Sequence, residues 1–390
     1  MVYSGSMASV REEYGVSNKI ASLPTTLHYA LYALIQFILS MIITKINLKR
    51  YMAFTLVFSG LSFISIFFYS PMWYICVVLA INGITLGAVW CGSIMVLGKY
   101  LSLKTMTKSL LFMSVGFSVG SAMSYGVSAL AINFGNWRIS FIILGVAFLL
   151  SVFYFLFSLT RAEKADIRPK ADQVTAKTHV YTAQRYEVKL LVVMAVITVF
   201  LACLLYYAFT NWMPTILKNV FNIANKNANL ITVLFPIVVF AGPTMAVFFC
   251  NRIKNDFIVV VIACVLCVAL SLVLCFTYNL NVVFTVITIL ILGVFLRLLV
   301  ELFVSLISVH VREYINAGKV SATVNASASV AAATSPFLIG SILDLSGNDW
   351  KTGFLFLFII AVVMLVICMT FYIIRQIKGH NKVKRAIDIH

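Results

Sequence analysis

The sequence predicts an all-α integral membrane protein of two six-helix bundles with helix 1 largely missing, leaving eleven transmembrane helices. Composition, the spacing of the apolar runs and an internal repeat predict it. Of 390 residues, 62% are hydrophobic and 11% charged, with a mean hydropathy of +1.03. A soluble domain carries about a quarter charged residues, so lipid is the main solvent of this chain.

A bilayer core about 30 Å thick is crossed by about 20 helical residues. Apolar stretches of that length lie at about 22–44, 51–69, 72–98, 107–132, 138–160, 189–216, 228–250, 256–277, 281–310, 319–343 and 351–375. The third, fourth and ninth exceed the minimum, which predicts tilt or extension beyond the membrane. Residues 1–22 carry Arg11, Glu12 and Glu13 without an apolar core, unlike a cleavable signal peptide.

The charge of +17 comes from basic clusters between apolar runs. No interleaved aromatic and basic surface suited to nucleic acid accompanies them. Threading the spans alternately, with 161–189 in the cytoplasm, puts 22 of 29 Lys and Arg inside, six outside and Arg297 within a helix. Basic residues are retained on the cytoplasmic side, so this asymmetry sets the orientation and places the C-terminus in the cytoplasm of a cell-membrane protein.

Polar, mixed-charge residues interrupt the apolar sequence longest near 161–188, which reads as a cytoplasmic linker. The predicted division is an N-terminal bundle at 1–160, that linker, a C-terminal bundle at 189–375 and a basic tail at 376–390. Sliding the chain by 207 places Asn18-Lys19 over Asn225-Lys226, Ala21 over Ala228, Leu23 over Leu230 and Thr25 over Thr232. At an offset of 213, Trp137-Arg138-x-x-Phe141 answers Trp350-Lys351-x-x-Phe354. Equivalent features recur in the same order, as in parallel repeats. At 207, the span 189–216 maps before residue 1 and leaves only Met1 to Ser9 as the final turns of helix 1.

These features resemble the major facilitator superfamily, whose members have two six-helix bundles, a central cytoplasmic loop and a basic loop after the second helix of each half. The corresponding loops here are Ser40-x-x-x-Thr44-Lys45-Ile46-Asn47-Leu48-Lys49-Arg50 and Val247-x-x-x-Asn251-Arg252, both without the family's acid. Within the superfamily the chain looks nearest to the organophosphate:phosphate antiporters. The stretches that carry this likeness are Asn82-Gly83-x-x-x-Gly87-x-x-Trp90, Ser118-Val119-Gly120-Ser121, Tyr207-x-x-x-Asn211-Trp212-x-Pro214-Thr215, and Glu313 with Gly318 and Asn325. In that group an Arg precedes the helix 7 tyrosine and a His stands on helix 5, where this chain has Tyr206 and Phe117. A carboxylate or other non-phosphorylated solute therefore fits as well as a phosphate ester.

A charged side chain deep in a membrane helix costs at least about 2.5 to 3.5 kcal/mol and usually marks a cavity or an ion pair. Arg297 and Glu301 lie four residues apart in the ninth span, on one helical face with Ser305 and Ser308. They are the leading candidates for binding an anionic solute, with Glu301 also a candidate proton carrier; a structural ion pair is the plainer reading. Tyr206, Tyr207 and Asn211 offer hydroxyl and amide groups, with interfacial anchoring as the alternative. Asn82, Trp90 and Asn325 are further candidates for the same cavity, against interhelical hydrogen bonding. His28 is a second candidate proton site. Gly116-x-x-x-Gly120 and Ala328-x-x-x-Ala332 predict close helix packing.

Cys264 and Cys267 have metal-ligand spacing but neither a His nor a second Cys pair beside them, so no metal or other cofactor is expected. No phosphate loop or catalytic constellation occurs, so direct ATP-driven pumping is unsupported and an enzyme is not expected. The sequence thus predicts a monomeric secondary transporter, an antiporter or symporter of a small polar, anionic solute working with a coupling ion or counter-solute. A solute sensor of the same fold, or an inactive truncated transporter, is the alternative.

Overall fold

In the computed structural model the backbone is described over residues 1–42, 47–87, 89, 92–93, 103–164, 182–252, 256–311 and 317–387. Every regular element among these is helical. They are α1 (Val2–Tyr14), α2 (Asn18–Ile42), α3 (Leu48–Phe68), α4 (Met72–Leu86), α5 (Leu103–Asn133), α6 (Ile139–Lys164) and α7 (Thr182–Phe221). There follow α8 (Asn225–Thr232), α9 (Leu234–Val239), α10 (Ala241–Arg252), α11 (Asp256–Thr277), α12 (Val282–Val311), α13 (Ala317–Leu345) and α14 (Trp350–Ile387). Among the described residues, nine stretches are long and apolar enough to cross a membrane. They coincide with nine of the eleven predicted spans; α2 and the shorter apolar helix α4 occupy the positions of the other two. Most of the predicted linker and the loop after α2 lie outside the described residues.

Local chemistry explains where the helices stop. Asn47 caps α3 by accepting the Arg50 amide at 3.2 Å. The span predicted at 228–250 is broken into α8, α9 and α10. Its breaks precede Pro236 and Pro243, which lack the N–H that would bond to Thr232 and Val239 one turn earlier. Two turns ahead of the last helix of each half contain Gly135 at φ +76° and Gly347 at φ +67°, a left-handed conformation that glycine adopts without strain. The sequence repeat therefore has matching local structure: Trp137 and Trp350 follow those turns, each about 5% exposed, and Asn18 and Asn225 each begin a helix.

The chain packs as two compact units. The first holds Met1–Ala176 with Tyr207–Val238 and Ser329–Trp350; the second holds Lys177–Tyr206, Val239–Ala328 and Lys351–His390. In the first, α3 and α4 share a ladder of hydroxyl and amide bonds, Ser59 with Thr85 at 2.9 Å and Asn82 to Ser62 at 2.8 Å. Rings of Phe63, Phe141 and Phe148 fill the space between α3 and α6. In the second, Cys264 and Cys267 lie fully buried on α11 as free thiols. One glycine expectation fails: a Cβ at Gly116 or Gly120 would meet nothing described within 4 Å. Both face outward from the described packing of α5, so no described helix lies close against them.

Candidate functional site

In the second unit, Arg297 sits among buried apolar side chains of α12, with Leu296, Leu299 and Leu302 all 0% exposed. Its guanidinium lies 5.6 Å from the centre of the Tyr206 ring on α7. Gly242 makes room for this arrangement: a Cβ there would lie 2.5 Å from the Val294 carbonyl oxygen and 2.9 Å from Arg297 Cβ. Glycine thus lets α10 lie directly against the turn of α12 that bears the arginine. A cation–π contact contributes about 0.5 to 2 kcal/mol, less than the cost of about 2.5 to 3.5 kcal/mol for a mid-membrane charge. Glu301, half-buried, lies one turn further along the same helix.

A second polar group belongs to the first unit. His28, Tyr32 and Gln36 recur every fourth residue of α2 and so share a face. His28 Nδ1 is 3.1 Å from the Leu79 carbonyl oxygen. Its ring contacts Tyr29 at 5.1 Å and Tyr32 at 6.3 Å. Tyr29 in turn packs on Tyr207 of α7 at 5.3 Å. One turn of α2 further, Ser329 Oγ of α13 donates to Gln36 Oε1 at 3.2 Å. Tyr29, Tyr32 and Gln36 were not singled out in the sequence, although the four-residue polar stripe was legible there.

Of the predicted residues, the fold brings Arg297 to Tyr206, and joins Tyr207 to His28 through Tyr29. Tyr206 and Tyr207, neighbours in sequence, point about 100° apart on α7 and belong to different units. Asn211 is fully buried: its oxygen accepts Ser4 Oγ at 2.6 Å and its amide donates to the Tyr207 carbonyl at 2.7 Å. Asn82 is also 0% exposed, and its amide bonds to Ser62 and to Val78 O. Asn325 is exposed on α13. Trp90 and the side chains of Ser305 and Ser308 lie outside the described residues.

One end of the first unit carries ties between segments from both halves of the chain. Besides Ser4 with Asn211, Asn229 donates to the Gly5 carbonyl at 2.9 Å and Lys226 to Asn133 at 2.7 Å. Tyr125 donates to the Thr210 carbonyl, and Lys218 pairs with Glu12. Asn18 of α2 meets Asp344 of α13 at 2.9 Å.

Apolar helices long enough to span a membrane, a half-buried arginine and glutamate on one of them, and polar ties between segments of both halves are the features of a helical membrane protein. The chain belongs to the Major Facilitator Superfamily, whose sequence model matches residues 1–317. A bacterial homologue of the human lysosomal transporter Spinster, crystallised inward-facing and occupied, has the same fold. It superposes with a TM-score of 0.71 at 14% identity, covering 96% of this chain and 92% of that one. A D-xylose-proton symporter superposes with a TM-score of 0.65 at 14% identity, covering 95% and 93%. No curated protein matches by sequence. The protein is thus a multi-pass membrane transporter rather than an enzyme, and its fold implies secondary transport of small solutes by alternating access.

Proposed function

We propose that this transporter moves a small polar anion across the cell membrane, driven by an ion gradient or by exchange with a counter-solute. The observation that carries this reading is the Arg297 guanidinium stacked on Tyr206 within an otherwise apolar stretch of α12. A planar, permanently charged group fits carboxylate or phosphate oxygens in pairs. Glu301, one turn along the same helix, is the coupling group: it takes up a proton or orients the arginine.

Within the first unit, His28 is a second titratable group, beside the rings of Tyr29 and Tyr32, and Tyr207 is a further candidate polar contact. Asn325, exposed on α13, is a further polar contact. Two bundles at 1–160 and 189–375 rock about these groups, with the C-terminus in the cytoplasm. The resemblance to organophosphate:phosphate antiporters supports an anion. Tyr206, where that group has an arginine, widens the solute class to carboxylates.

The test is uptake in proteoliposomes. Arg297→Ala and Glu301→Gln each reduce uptake of the transported anion by about tenfold or more while leaving folded yield intact. Undiminished uptake in both variants rejects the assignment.

A further inference from the structure

We propose that Asp344 is the latch that holds one end of this carrier shut, a positioning residue of the transport cycle rather than a solute ligand. The first amides of a helix have no partner within it and form the positive end of its dipole. At the start of α2 these groups are met by a carboxylate from α13, in the other half of the chain. Asp344 Oδ1 accepts the Asn18 backbone N–H and the Asn18 Nδ2, each at 2.9 Å, and Oδ2 accepts the Lys19 N–H at 2.9 Å.

The surroundings hold this contact in register. Asn18 also donates to Asn348 Oδ1 at 2.6 Å and accepts from Arg11 Nη1 at 2.5 Å. The Lys19 ammonium lies 5.1 Å from the centre of the Phe337 ring. A Cβ at Gly340 would lie 2.9 Å from the Asn18 carbonyl oxygen, so α13 approaches the α2 backbone as closely as a glycine permits.

The other cross-half ties are of a different kind. Ser4 with Asn211 and Asn229 with Gly5 are neutral. Glu12 with Lys218 is an exposed ion pair, of a type that contributes little. At the repeat-related place, α8 begins at Asn225 as α2 begins at Asn18, yet Lys226 there meets Asn133, an uncharged side chain. Among the described ties, the one in which a carboxylate meets the first amides of a helix is that of Asp344 with α2. Asp344 is itself exposed, so water replaces its bonds when the end opens, and the bias is a several-fold one.

The inference rests on alternating access, but its test needs no transported solute. The purified full chain in lipid nanodiscs is labelled with a maleimide at Ala228→Cys, a position 0% exposed on α8, a helix that contributes no atom to the Asp344 contacts. A second reporter, Ile66→Cys, 0% exposed on α3, reports unfolding of the first half alone. The parent chain supplies the background from native cysteines. Asp344→Ala is expected to speed labelling of Ala228→Cys by about 3- to 10-fold and to leave Ile66→Cys unchanged. An unchanged rate at Ala228→Cys overturns the proposal. Equal acceleration at both reporters overturns it too, since Asp344 would then stabilise the fold and not one conformation of it.

Discussion

Ser4 donates a hydrogen bond to Asn211 at 2.6 Å, and the two residues are separated by 207 positions, the offset of the internal repeat. A residue can touch its own repeat-mate only near the axis that relates the repeats. The start of the chain and α7 therefore meet near that axis, within the first unit.

Replacing Asn211 by Ala removes the acceptor for Ser4 and leaves a buried hydroxyl without that partner. The expected loss is about 1 to 3 kcal/mol, seen as a lower thermal midpoint in detergent. Ser4→Ala is expected to cost less, because the Asn211 amide keeps its bond to the Tyr207 carbonyl.

Gly242→Ala tests whether the arginine face depends on close approach of α10 to α12. The new methyl would stand 2.5 Å from the Val294 carbonyl oxygen, which is backbone and cannot rotate away. Overpacking of this kind costs about 1 to 3 kcal/mol. Loss of stability should be accompanied by weaker solute binding, because Arg297 Cβ is the next nearest atom, at 2.9 Å.

Acid stability has a local source. Glu13 accepts from Arg138 and, at 2.6 Å, from Trp137 Nε1. The hydrogen bond from Arg138 comes first among the causes that hold its carboxyl below the ordinary value of 4.5, although burial opposes the shift. A depressed carboxyl contributes stability that is present above its unfolded pKa and is lost as pH falls through the folded one. Wild type should lose part of its thermal midpoint only below about pH 4.5. Glu13→Gln should show a lower midpoint at pH 7 and a flatter profile below that point. The side chain is 39% exposed, so the difference will be small.

Much of the fold was legible because hydropathy measures how a segment partitions between water and lipid. Long runs such as 256–277 and 351–375 left no other solution, and α11 and α14 cover them. Hydropathy does not register which polar groups find each other inside. Asn211 was legible as a polar group on α7, but its partner Ser4 was not. Gly116 and Gly120 misled for a related reason: spacing shows that two glycines share a face, not that a helix lies against that face. The breaks before Pro236 and Pro243 were written in the sequence but hidden under continuous apolarity. Asp344 carried no signal at all, since its partner amides belong to the backbone of a helix more than 300 residues away.

Counterflow separates transport from binding most directly. Proteoliposomes preloaded with an unlabelled small carboxylate or phosphate ester are diluted into a trace of the same labelled anion, across a panel of such anions and without ATP. For at least one anion, wild type is expected to accumulate label above the equilibrium level and Arg297→Ala to show no overshoot. Saturable binding without any overshoot across the panel, or an overshoot that Arg297→Ala retains in full, would contradict the account.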